Sequence, residues 1–128
     1  MARSLGIVLR HAPFGTINAG EALRHAAGGI TFGVATTLVL LEDGVYVVRD
    51  GQDGERLGFT SLAGPLVQFA QQQGTRADGR PIGGRVLVHG PSLAARGLSS
   101  EELVAGAEVI DDAGLARASA EFDAVLTY

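Results

Sequence analysis

The stretch Arg85 to Leu98, RVLVHGPSLAARGL, most constrains what this chain can fold into. Arg85 to Val88 has strand character and runs straight into His89-Gly90-Pro91-Ser92. A short helical pattern follows and stops at Gly97. A strand that passes through such a turn into a helix is the βα junction of an α/β sheet. In these sheets, ligands and catalytic groups gather outside the carboxyl ends of the strands. His89 stands at that junction.

The rest of the chain repeats the alternation. Leu5 to Leu9 (LGIVL) and Thr36 to Leu41 (TTLVLL) are continuous apolar runs, as expected of strands buried on both faces. Between them, Asn18 or Thr16 is placed to cap a helix over Glu21 to Ala27, with Gly28-Gly29 ending or loosening it. Glu42-Asp43-Gly44 breaks the second strand. Val45 to Val48 then has the propensity of a β-hairpin return, with a short helix as the competing reading.

Arg49 to Gly58 reads as a loop and Thr60 to Gln73 as a helix, whose regular part starts at Pro65 and which Gly74 follows. Thr75 to Gly84 is the loosest segment, with Asp78-Gly79 and Pro81 as turn signals. Ser99 and Glu102 fit a capping box. Glu108 to Ile110 is a brief strand, Ala113 to Glu121 a last helix behind Asp111-Asp112, and Ala124 to Leu126 a final strand. The pattern predicts one domain over 1–128 of class α/β, a mainly parallel sheet with helices on both faces.

Two absences exclude whole chemistries. There is no cysteine, so thiolate chemistry, persulfide transfer, disulfides and cysteine-ligated clusters are closed to this chain. There is no lysine either, all ten basic residues being arginine, so a phosphate-loop lysine and a Schiff base are excluded. A net charge of −4 argues against non-specific nucleic-acid binding. Only 19% of residues are charged, which predicts a surface partly covered by other subunits. No apolar run reaches the ~18 residues of a membrane span, and the opening run is too short for a signal peptide, so a soluble cytoplasmic protein is expected.

The shared carboxyl edge of the sheet collects Arg10-His11, Glu42-Asp43 and His89-Gly90. A His–His–carboxylate group there has the chemistry for a metal or for proton transfer, although polar side chains at strand ends are more often solvated or capping. The candidates for ligand binding are His11, Asp43, His89 and Ser92; no metal and no cofactor is expected. His25 reads as a surface residue. Gly15 to Gly20 has G-x-x-x-x-G spacing without the Gly-Lys pair of a phosphate loop, a weak signal for nucleotide. Gly90-Pro91-Ser92-Leu93-Ala94 falls short of a G-x-S-x-G elbow. No histidine lies beyond His89 to complete that triad order, so a serine hydrolase is not expected.

Four segments together carry a resemblance: GIVLRHAPFGT, LLEDGVYVV with Gly51-Gln52 after it, SLAARGL, and EFDAVLTY. The specific parts are the loop Ala12-Pro13-Phe14-Gly15-Thr16, the turn Asp43-Gly44-Val45-Tyr46 and the helix around Ser92-Leu93 and Arg96-Gly97-Leu98. In order and spacing, from about Ile7 to Tyr128, they resemble the DsrE/DsrF-like family, in particular its TusC/DsrF type. The resemblance implies a three-layer α/β/α fold with a five-stranded sheet and assembly into trimers or hexamers. It implies partners as well: DsrE/TusD-like and DsrH/TusB-like subunits or further copies of this chain, and a DsrC/TusE-like sulfur acceptor. The assembly would serve tRNA thiolation or intracellular sulfur oxidation. Counting back from Arg96-Gly97, His89 falls where relay subunits carry their cysteine. The resemblance therefore implies a non-catalytic structural subunit. The alternative is a stand-alone homo-oligomer holding a small ligand or nucleotide near His89.

Overall fold

The computed structural model describes residues 4–52, 58 and 61–128. Its centre is a sheet of five parallel strands, β1 (Ser4–Leu9), β2 (Ala35–Leu40), β5 (Arg85–His89), β6 (Ala107–Ile110) and β7 (Ala124–Thr127), in the order β6-β5-β2-β1-β7. The two remaining strands, β3 (Gln73–Thr75) and β4 (Pro81–Gly83), form a separate antiparallel hairpin. Helices α1 (Asn18–Thr31), α2 (Ala63–Gln71), α3 (Gly90–Ala95) and α4 (Asp112–Glu121) complete the layers. The class is α/β, as the alternating pattern predicts.

Side chains alternate across each strand and build two cores. Ile7, Leu9, Leu38, Leu40, Val86 and Val88 face α1 and α2, where Ala22, Leu23, Ala26, Ile30, Leu66 and Phe69 meet them. Val39 and Leu87 point the other way, against Ala118, with Leu115 and Phe122 beside it. Strands buried on both faces have no polar face to alternate with, which is why β1, β2 and β5 read as continuous apolar runs.

Several expectations change. Neither Asn18 nor Thr16 caps α1: its N-cap is Ile17, without a side-chain cap bond, and Asn18 is already the first helical residue. Val45 to Val48 is not a hairpin return but part of a 3₁₀ helix, Glu42–Val48, with Val45, Val47 and Val48 buried. The reason is topological: β2 is already paired with β1 on one side and β5 on the other, so no edge is open to a returning strand. Helix α1 does not end at Gly28-Gly29 but continues to Thr31. Gly29 is there for closeness to β2, because a Cβ at that position would lie 2.2 Å from Thr36 Oγ1. Segment Thr75 to Gly84 is more ordered than expected, since its turn around Asp78-Gly79 closes the β3–β4 hairpin, with the Arg76 N–H donating to the Arg80 carbonyl at 2.8 Å. His25 is half-exposed on α1, and its Nδ1 meets the Tyr128 hydroxyl.

Helix α2 begins at Ala63, two residues before Pro65. The predicted start at Thr60, and residues 53–57 of the predicted loop, lie outside the described residues. The Ser99–Glu102 capping box forms as read, and Asp111 caps α4 by accepting the Gly114 N–H at 2.7 Å. Among the described residues, no helix is long and apolar enough to cross a membrane.

Candidate functional site

Because the sheet is parallel, the loops after β1, β2, β5 and β6 share one edge, with the end of β7 beside them. The tightest construction lies after β5. His89 ends that strand, and α3 begins at once with Pro91 in its first turn. This turn carries Ser92 back to His89, placing Ser92 Oγ 2.7 Å from His89 Nδ1. The other ring nitrogen, Nε2, lies 2.6 Å from Asp112 Oδ1 at the start of α4. Ser92 Oγ also accepts the backbone N–H of Glu42 at 2.9 Å.

The proton positions follow. The Asp112 carboxylate only accepts, so Nε2 carries the proton and donates to it; in the neutral ring Nδ1 is then an acceptor, and the serine hydroxyl donates to it while accepting the Glu42 N–H. Serine, histidine and aspartate also meet in a hydrolase triad, where the serine bonds Nε2 and the aspartate Nδ1, the reverse of the bonds at His89. Here Ser92 is also buried and held from both sides. The chain of bonds ties the loops after β2, β5 and β6 together.

Asp43 does not join that chain. It accepts from Arg96 Nε at 2.9 Å, and Arg96 Nη1 donates to the Ser92 carbonyl at 3.2 Å, so α3 draws the Asp43 turn toward itself. His11 lies elsewhere on the edge, its Nδ1 3.0 Å from the side-chain amide of Asn18. It lines a cavity of about 630 Å³ together with Arg10, Asn18, Glu42, Thr127 and Tyr128. The structure therefore brings His89 and Ser92 together and leaves His11 and Asp43 with other partners. Among the described residues, no group of three or more His, Cys, Asp or Glu side chains could hold a metal ion.

Glu42 joins the two halves of the edge. Its N–H is on Ser92, while its carboxylate takes a two-pronged bond from Arg10, Nε to Oε2 at 3.1 Å and Nη2 to Oε1 at 2.9 Å. The guanidinium holds the Glu42 carboxyl below its ordinary range, and the carboxylate raises Arg10 in turn, the shared hydrogen bond being the main cause of both. Glu42 is also the one non-glycine residue with positive φ, 52°, among the described residues. Gly44 follows, packed so closely that a Cβ there would stand 2.1 Å from the Leu9 carbonyl oxygen, which seats the 3₁₀ helix on the end of β1.

Sequence reasoning missed Asp112, although a signal existed: Asp111-Asp112 follows a strand onto the same edge. It also passed over Arg10 and Glu42 as neighbours of chosen residues. Nothing in a linear sequence shows that their side chains pair across 32 positions.

A parallel α/β/α sheet with polar side chains tied across its carboxyl edge defines a class, the α/β proteins whose binding groups gather at strand ends. Within that class the chain belongs to the DsrE/DsrF-like family, whose model matches residues 3–128. It is 32% identical over 133 aligned positions to the intracellular sulfur oxidation protein DsrF of Allochromatium vinosum, covering 93% of this chain and 91% of that one. It is 30% identical to the TusC homolog of Pseudomonas aeruginosa, covering 99% of each. Among solved structures, the ychN protein of E. coli shares the fold with a TM-score of 0.78 at 23% identity, over 98% of this chain and 99% of that one.

Proposed function

We propose that this chain is a non-catalytic structural subunit of a sulfur-relay assembly, of the TusC/DsrF type. The observation that carries the reading is a full-length family match in a chain without a single cysteine. The protein similar to it from Allochromatium vinosum is an intracellular sulfur oxidation protein, and the likeness to a TusC homolog points the same way. Imidazole does not carry a sulfane sulfur as a thiolate does, so His89 is not a relay group. In this reading the thiol belongs to a DsrE/TusD-like sister subunit, a DsrH/TusB-like subunit completes the assembly, and a DsrC/TusE-like protein accepts the sulfur. The assembly serves tRNA thiolation or intracellular sulfur oxidation.

Exposed apolar side chains support a role in assembly. Phe32 at the end of α1 is 85% exposed and Ile17 at its start 78%, while Val125 and Leu126 lie half-open on the edge strand β7. The test is a tagged pull-down from native lysate, with the intact eluted complex weighed by native mass spectrometry. Co-elution of a cysteine-bearing sister subunit in fixed stoichiometry is the expected result. A pure homo-oligomer, or a monomer, would overturn the reading.

A further inference from the structure

We infer that the cavity lined by Arg10, His11 and Asn18 binds a small molecule through its carboxylate or phosphate group, with Glu42 the internal stand-in that this group displaces from Arg10. The inference is independent of the relay role proposed above.

The geometry begins with Arg10. Its guanidinium presents two parallel donors, and both are filled by the two oxygens of Glu42. That is the arrangement in which arginine takes a carboxylate or phosphate from any source. The filling is weakly held, because the two side chains are 51% and 52% exposed and an ion pair in water contributes little. A ligand anion therefore competes with a replaceable partner. Glu42 itself sits at φ 52°, a conformation unfavourable for a side chain with a Cβ and one that tends to persist at functional sites. Its backbone stays anchored through the N–H on Ser92, so the carboxylate can swing away without moving the loop.

The other lining residues suit the same ligand. Asn18 donates to Nδ1 of His11, which puts the ring proton on Nε2 and makes His11 a second donor in the cavity. Thr127 and Tyr128, at the end of β7, complete the lining. A volume of about 630 Å³ exceeds a bare anion and falls within the usual range for small-molecule sites, roughly 300–1,000 Å³. The larger cavity between α1 and α2, about 690 Å³, is mostly apolar where Leu23, Ala27, Leu62 and Phe69 line it.

The experiment is an amide NMR titration of the full chain with inorganic phosphate and with succinate, at constant ionic strength against chloride. Expected are saturable shifts centred on Arg10, His11 and Asn18. Glu42→Gln should tighten binding by roughly two- to five-fold, the effect of removing an exposed ionic competitor. Arg10→Gln should abolish it. Arg10→Lys, which keeps the charge but loses the fork, should bind more weakly than the wild type and serves if Arg10→Gln does not fold. Saturation by phosphate alone or by succinate alone supports the site and names the group it takes. No saturable shift with either probe, undiminished binding in the Arg10 variants, or weaker binding in Glu42→Gln would each overturn the inference.

Discussion

The backbone N–H of Glu42 donates to the buried hydroxyl of Ser92, 2.9 Å away across 50 positions of sequence. One bond thus joins the loop after β2 to the first turn of α3, and it holds Glu42 at a φ of 52°. The same hydroxyl donates to His89, so a single oxygen organises the middle of the carboxyl edge.

Ser92→Ala removes that oxygen and strands both the Glu42 N–H and His89 Nδ1 in a poorly hydrated site. A loss of about 1–3 kcal/mol is expected in chemical denaturation. Asp112→Asn should cost less than about 1 kcal/mol, because the Asp112 side chain is 83% exposed and water replaces its bond to His89. Equal effects of the two variants would contradict the view that Ser92 is the organising atom.

Glu42→Gly and Glu42→Ala both delete the ion pair to Arg10, but only glycine is at ease with positive φ. Glycine is expected to be the more stable of the two by about 1 kcal/mol, the left-handed penalty for a residue with a Cβ. Comparing the two denaturation midpoints isolates the backbone contribution, since the lost ion pair cancels.

Gly44→Ala places a methyl group against the Leu9 backbone, at 2.1 Å from the carbonyl oxygen. Backbone cannot rotate aside as a side chain can. Destabilisation of about 1–3 kcal/mol is expected, with the largest amide shift changes at the end of β1.

Acid should weaken the fold in a defined direction. Arg10 holds the Glu42 carboxyl below its ordinary value and Arg24 does the same for Glu21, each chiefly through a side-chain hydrogen bond. The folded value lies below the unfolded one, so these pairs stabilise fully above about pH 4.3 and lose their effect as pH falls through the folded values. Melting temperature should decline below about pH 5 in the wild type, and less steeply in a Glu21→Gln, Glu42→Gln double variant.

Alkali should act through Tyr128. Burial raises its phenol above the ordinary value, with Glu21 adding to the effect. The unfolded chain therefore releases this proton first, so the stabilisation is complete below about pH 10 and lost as pH rises through the folded value. Tyr128→Phe should remove this alkaline loss while costing about 0.5–1.5 kcal/mol at neutral pH for the lost bond to His25.

Much of the architecture was legible because burial on two faces leaves a plain mark. LGIVL, TTLVL and RVLV are strands in the structure, and the Ser99–Glu102 box forms where its spacing placed it. What failed did so for one reason, that local propensity cannot see which neighbours a segment will have. Val45 to Val48 has strand character, but β2 has no free edge for it. Gly28-Gly29 reads as a helix end, but Gly29 is needed where α1 presses on Thr36.

The same division runs through the site. His89 beside Ser92 was visible, because three residues across a strand-to-helix turn meet wherever the turn forms. Arg10 and Glu42 were legible only as residues of the shared edge, and Asp112 only as part of an acidic pair after a strand, since their partnerships are set by strand order and register. By itself the sequence determined a cysteine-free α/β chain with polar residues gathered after its strands. Only the tertiary structure decided which of them touch, because pairing across 23, 32 and 50 positions depends on how a parallel sheet stacks its carboxyl ends and not on spacing along the chain.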